Sequence, residues 1–249
     1  MRNKTFQLAG ILALMLAATT PALATDQSVA AAEYAEVLKL TPNLGNGRRV
    51  YMTCAVCHTP EGWGTEDGYY PQIAGQLETV LIKQLADIRA RNRDNPTMYP
   101  FTMPNMLGGP QEIADVAAYI SRLPMTPFNG KGPGHDLAHG ERLYKKYCVD
   151  CHGENGGGNS EDHIPKLQGQ HYNYLIRQFE WIRTGKRRNA DPEMVKQIKS
   201  FSPRDVMAVM DYISRLRPPE SSLGRPGWVN PDFPDFVRQR SMMHAVPDI

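Results

Sequence analysis

Cysteine is nearly absent from this chain, and the four that occur fall in two places: Cys54-Ala55-Val56-Cys57-His58 and Cys148-Val149-Asp150-Cys151-His152. None is left over for a disulfide framework or for a thiolate ligand elsewhere. Long apolar runs are also scarce. The one from Leu8 to Ala18 is well short of the ~20 residues a spanning helix needs, and no later stretch approaches it. Alternating apolar and polar runs of strand length are missing too, which predicts an all-α fold. Excess charge of one sign is lacking: 28 Lys and Arg face 26 Asp and Glu, and removing the N-terminal segment takes away Arg2 and Lys4 and no acid. That balance excludes a nucleic-acid partner and a polybasic membrane patch.

What is present begins with an export signal. Arg2 and Lys4 precede the apolar run, and Ala22-Leu23-Ala24 offers small residues for cleavage, the pattern of a secretory signal peptide over residues 1–24. The mature protein is then expected in the periplasm, with no transmembrane segment. What remains is long enough for two domains of about 100 residues.

Two thiols spaced as Cys-x-x-Cys can add to the two vinyl groups of one porphyrin, and the histidine that follows is then held under the iron. Each motif is a c-type haem attachment signature. A zinc ribbon wants its two cysteine pairs roughly 15–20 residues apart, whereas these stand nearly a hundred apart. A thioredoxin-like dithiol or a structural disulfide has no use for a histidine after both pairs. The cofactors predicted are two covalent haem c groups, on Cys54 and Cys57 and on Cys148 and Cys151, with His58 and His152 beneath the irons.

An internal repeat fixes the organisation. Gly47-Arg48-Arg49-Val50-Tyr51 matches Gly140-Glu141-Arg142-Leu143-Tyr144, and Pro71-Gln72-Ile73-Ala74-Gly75-Gln76 matches Pro165-Lys166-Leu167-Gln168-Gly169-Gln170. Leu81 to Leu85 matches Leu175 to Phe179, and Tyr119-Ile120-Ser121-Arg122-Leu123 matches Tyr212-Ile213-Ser214-Arg215-Leu216. Residues 25–123 and 135–217 therefore read as one domain duplicated, joined by a Pro- and Gly-rich linker at 124–134. Each copy shows three helical stretches: one leading into the haem motif, one after the Gly-Gln pair, and one ending in Tyr-Ile-Ser-Arg-Leu. In the middle stretch Val80, Leu81, Leu85 and Ile88 form a core stripe at helical spacing. Residues 218–249 change character, with prolines that break any helix. Trp228, Phe233 and Phe236 there predict an extended segment docked across the domains.

The second axial ligand decides what the iron does, since methionine raises the potential and closes the site. Between the middle and last helices, copy two offers Met194; copy one offers Met98, Met103 and Met106. The remaining histidines, His135, His139, His163, His171 and His244, read mostly as surface residues, with His163 or His171 the alternative to a methionine as iron ligand. Arg89 and Arg183 recur at matched positions and could pair with haem propionates, while Tyr119 and Tyr212 read as core. Lys186, Arg187 and Arg188 cluster in copy two alone, which predicts a higher potential for the second haem.

Both haem motifs, the Pro-x-Ile/Leu-x-Gly-Gln segments and the closing Tyr-Ile-Ser-Arg-Leu helices, in that order and twice, give a chain that resembles the dihaem cytochrome c4 family, a tandem of class I cytochrome c domains. The resemblance covers nearly all of the chain between signal and tail. It implies two domains packed about a pseudo-two-fold axis and an electron carrier rather than an enzyme. Redox protein partners are implied with it, such as a membrane-bound respiratory complex or terminal oxidase. It also implies that His58 and His152 hold the irons, with Pro71 and Pro165 carbonyls orienting the rings. The family's ligand loop, Asn-Pro-x-Met-x-Pro, is reproduced by Asn95-Pro96-Thr97-Met98-Tyr99-Pro100. It points to Met98, with Met103 as runner-up, and to Met194 in copy two. Two other roles compete with the carrier: a haem enzyme with one open iron, and a cytochrome subunit of a larger dehydrogenase anchored by the tail.

Overall fold

The computed structural model describes residues 26–237; the expected signal peptide, His244 and the end of the tail lie outside them. Copy one opens with α1 (Asp26–Val37), for which the repeat offers no counterpart. Next comes α2 (Leu44–His58), started by Asn43, whose side chain accepts from the Asn46 N–H, and ending on the first haem motif. Then follow α3 (Glu78–Arg89), the one-turn α4 (Tyr99–Thr102) within the methionine loop, and α5 (Pro110–Ser121).

Copy two repeats the plan. α6 (Leu137–Tyr147) and α7 (Val149–His152) are one path broken at Cys148, and α8 (Tyr172–Arg183), α9 (Pro192–Ile198) and α10 (Pro203–Ser214) follow. Pro110 and Pro203 begin their helices, where a missing N–H leaves nothing unsatisfied. The three long helical paths that the repeat shows form in each copy, with α1 an additional helix in copy one, while α4 and α9 are too short to show a periodicity. Among the described residues no strand forms, only two isolated bridges.

The glycine and tyrosine of the repeat define each core. Gly47 lies against the Asp115 carbonyl where α2 crosses α5, and Gly140 against the Ala208 carbonyl where α6 crosses α10. A Cβ at either place would overlap backbone. One turn on, Tyr51 is fully buried, donates to Thr59 O at 2.7 Å and stacks on Tyr119 at 5.3 Å. Tyr144 does the same with Gly153 O at 2.6 Å and Tyr212 at 5.5 Å. Each copy has its own apolar cluster, and Val80, Leu81 and Ile88 are buried as the stripe predicts.

The segment between the copies is built into the fold. Met125 and Thr126 are buried, and Met125 N–H donates to Ser222 O at 2.8 Å in a parallel bridge with Leu223. The described part of the tail straps copy one. Phe233 is buried against Tyr51, Trp228 packs on Trp63, and Asn230 Nδ2 donates to Pro60 O at 2.6 Å. Tyr119 hydroxyl donates to Asp232 at 2.9 Å and accepts from Asn230. The aromatics that could have anchored a partner are thus used within the chain.

Candidate haem sites

Each motif histidine is held through one ring nitrogen. His58 Nδ1 lies 2.9 Å from Pro71 O, and His152 Nδ1 lies 3.1 Å from Pro165 O. A carbonyl only accepts, so Nδ1 carries the proton and Nε2 keeps its lone pair for a metal. Both rings are buried, and burial lowers their pKa values, keeping them neutral. The same turn closes each motif, with Gly64 N–H donating to His58 O at 2.9 Å and Gly158 N–H to His152 O at 3.0 Å.

No disulfide joins the four cysteines, which leaves each thiol available for haem attachment. Burial pushes Cys54 and Cys148 up to about 12, the reverse of the lowered pKa that a redox dithiol needs. Among the described residues no three His, Cys, Asp or Glu side chains gather as a metal-ion site.

The methionine loops are built alike. Asn95 Oδ1 accepts from the Met98 N–H at 3.3 Å, and Asp191 Oδ1 accepts from the Met194 N–H at 3.1 Å. Both loops therefore share an Asx-Pro-x-Met turn, and Met98 and Met194 occupy its same place. Met103 follows α4 half-buried, and Met106 is half exposed. Arg89 does not reach outward for a propionate. It donates to Thr102 O at 2.5 Å, to Gly108 O at 2.8 Å and to Glu33 of α1, pinning the later part of the first methionine loop, around Met103 and Met106. Arg183 pairs with Glu180 at 2.6 Å.

The interface between the copies is where sequence reasoning saw least. Gln84 Oε1 accepts from Arg93 at 2.7 Å and Arg187 at 3.2 Å; Gln178 Oε1 accepts from Arg93 at 2.9 Å and Arg187 at 3.2 Å. The two residue pairs are equivalent by the repeat, so the square is two-fold. Arg188 reaches Arg91 O of copy one. Arg187 and Arg188 of the basic cluster thus reach copy one, while Lys186 lies over Trp181 of copy two. His171 is a further correction: it is buried, accepts from the Gly130 N–H at 2.9 Å and donates through Nε2 to Trp63 O at 2.7 Å. With both nitrogens occupied it is no alternative iron ligand.

Haem fits this arrangement by a polar test as well. Arg93 Nε is buried without a hydrogen-bond partner, and desolvation lowers the pKa of Arg187 to about 9. Two neighbouring cations, Arg93 buried and Arg187 half-buried, that bond chiefly to amide oxygens suit the carboxylates that haem propionates bring.

A family profile described as cytochrome c matches residues 44–124, and one described as cytochrome c oxidase, cbb3-type, subunit III matches residues 135–213. The chain is 31% identical to cytochrome c4 of Azotobacter vinelandii, over 68% of this chain and 87% of that one. It is 29% identical to a thiosulfate dehydrogenase electron acceptor of Stutzerimonas stutzeri, over 72% of this chain and 90% of that one. Reduced cytochrome c4 from Pseudomonas stutzeri superposes with a TM-score of 0.61 at 29% identity, covering 71% of this chain and all of that structure. With two copies of one helical domain, each ending a helix in a haem motif, and these relatives over most of its length, the chain belongs to the cytochrome c4 family: a dihaem c-type cytochrome, with two covalently bound haem c groups, acting in electron transfer.

Proposed function

We propose that the protein is a periplasmic shuttle in which His58 with Met98 would hold one iron and His152 with Met194 the other. Cys54 and Cys57, and Cys148 and Cys151, hold the two macrocycles. When bound, each haem supplies an iron that gains or loses one electron. The residues do the rest: burial keeps the histidines neutral, the proline carbonyls hold Nδ1 and leave Nε2 free to take the metal, and Met98 and Met194 would deny the iron to small substrates. The observation that carries this is the pair of Nδ1 to carbonyl bonds, which leave one free nitrogen per histidine in both copies. Near-infrared magnetic circular dichroism of the ferric protein tests it. Two histidine–methionine haems are expected; one or none, with carbon monoxide binding to the native ferrous form, would mean an enzyme with an open iron.

Donor and acceptor are redox proteins met briefly through small interfaces, a membrane-bound respiratory complex being the proposed acceptor. A second reading is favoured by the relative named as a thiosulfate dehydrogenase electron acceptor: the chain collects electrons from a dehydrogenase. Stopped-flow reduction of the ferric protein by a thiosulfate dehydrogenase with its substrate decides it, and a rate no faster than that of an unrelated c-type cytochrome rejects it.

A further inference from the structure

The peptide joining Pro71 to Gln72 is bonded at both ends. Its carbonyl accepts from His58 Nδ1 at 2.9 Å, and its N–H donates to Gln170 Oε1 at 3.1 Å. Gln170 belongs to the other copy. Its amide is fixed in this sense, because Oε1 also accepts from the His171 N–H at 3.0 Å while Nε2 donates to Gln72 O at 2.8 Å. Exchanging oxygen and nitrogen would set donor against donor.

Copy two repeats the arrangement with partners exchanged. Pro165 O accepts from His152 at 3.1 Å, and the N–H of the same peptide, that of Lys166, donates to Gln76 Oε1 at 2.9 Å. Gln76 Oε1 accepts from the Leu77 N–H at 3.0 Å, and its Nε2 donates to Lys166 O at 3.1 Å. The glutamine of each Gly-Gln pair thus ends on the peptide that orients the other domain's histidine.

We propose that Gln170 and Gln76 are positioning residues that set, across the domain boundary, the redox potential of the haem on the far side. The proposal rests on His58 and His152 being iron ligands. Hydrogen bonds in series polarise one another. A peptide whose N–H donates gathers electron density on its carbonyl oxygen, which then draws harder on the Nδ1 proton. The ring becomes a stronger donor through Nε2, and a more electron-rich ligand favours the ferric state. Each crossing glutamine therefore lowers the potential of the opposite haem. Bracketing both the N–H and the C=O of one residue also holds that peptide plane still. The first relay is the drier: Gln72, Gln170 and His58 are all buried, whereas Gln76 is half-buried. Gln170 therefore acts more strongly than Gln76.

The test uses the full dihaem protein with Gln170→Leu or Gln76→Leu, each haem's potential being followed through its methyl resonances during a redox titration. Gln170→Leu is expected to raise the haem on Cys54 and Cys57. Its ratio of reduced to oxidised form at fixed solution potential increases about threefold to tenfold, tenfold being about 59 mV for one electron, while the other haem moves less. Gln76→Leu gives the mirror result, smaller. Gln178→Leu loosens the same interface without touching either peptide and shifts neither haem selectively. The proposal is overturned if each glutamine variant shifts the haem of its own domain, if both haems shift equally, or if nothing moves. Magnetic circular dichroism separates the layer beneath: a native spectrum without histidine–methionine haems sinks the ligand assignment, whatever the glutamine variants do.

Discussion

Arg93 and Arg187 stand at equivalent positions of the two copies and share the same two acceptors, Gln84 Oε1 and Gln178 Oε1, through four bonds of 2.7 to 3.2 Å. Two cations held side by side in a protein interior repel each other, and desolvation costs each of them further. Such a pair persists where negative charge faces it: Asp87 supplies part of that charge, and haem propionates would add to it. Positive charge near an iron favours its reduced form. Arg93→Gln should therefore lower the potentials of both haems, by an amount on the order of tens of millivolts. Because the square lies between the copies, the two should fall together. Spectroelectrochemistry showing a drop confined to one haem would place the arginine beside that haem alone.

The helix crossings make a different demand. At Gly47 an added Cβ would run into the Asp115 carbonyl, and at Gly140 into that of Ala208. Backbone cannot swing aside as a side chain can, so the helices must separate. Gly47→Ala or Gly140→Ala should each cost about 3 kcal/mol, read by chemical denaturation of the haem-loaded protein. Gly157→Ala, where a Cβ meets nothing within 4 Å, should stay within about 0.5 kcal/mol.

Tail residues are part of copy one, and their removal should show there. Phe233→Ala takes a buried ring away from Tyr51 and should cost about 3 kcal/mol. A chain ending at Arg217 should lose more, since Tyr119 then loses Asp232 and Asn230 as partners. Unfolding followed at the haem of each domain should show copy one melting first. Equal stability with and without the tail would return it to the role of a partner anchor.

A pH effect follows from the cap of α10. Asp205 accepts from Ser202 Oγ at 2.6 Å, from His139 Nε2 at 2.6 Å and from the Ser202 N–H at 2.9 Å, and these bonds lower its pKa from 3.8 to about 2. A carboxylate with a depressed folded pKa contributes stability that is present above the unfolded value and lost as pH falls through the folded one. The contribution, about 1 kcal/mol for a cap of this kind, should fade between pH 3.8 and about 2. In Asp205→Asn that part of the acid dependence should be gone. An unchanged acid profile in the variant would show the cap to be idle.

How much of this was legible in the sequence depended on where each residue's partner lies. The haem motifs were readable because porphyrin chemistry dictates the spacing, and the core stripe at Val80, Leu81 and Ile88 because helical periodicity reports a residue's own element. Gly47 and Tyr51 showed up as a repeat, but the reason for them lies on α5 and in the turn at Thr59. The Gly-Gln pairs were visible for the same reason. Their destination was not, since Gln76 and Gln170 end on the opposite copy and bond to backbone, which has no sequence signature. Arg89 misled similarly: two of its three acceptors are the carbonyls of Thr102 and Gly108. Helices α4 and α9 are too short for any period to declare itself.

Which methionine closes the first iron is the prediction with most at stake. Spacing to the closing helix does not decide, because the first loop is longer than the second. Local geometry favours Met98. Met98 and Met194 share an Asx-Pro-x-Met turn in which the Asx side chain accepts the methionine N–H, so each side chain leaves an equivalent backbone. Met103 instead follows Thr102, whose carbonyl is tied down by Arg89, and it has no counterpart in copy two. Met98→Leu should remove one histidine–methionine signal from the near-infrared magnetic circular dichroism spectrum and let carbon monoxide bind one ferrous haem. Met194→Leu should do the same to the other. Met103→Leu should leave both signals in place and change stability by less than about 1.5 kcal/mol, as a volume-conserving apolar swap does. If Met103→Leu opens the iron and Met98→Leu does not, the two loops grip their haems differently, and the extra length of the first loop is what lets its second methionine reach the metal.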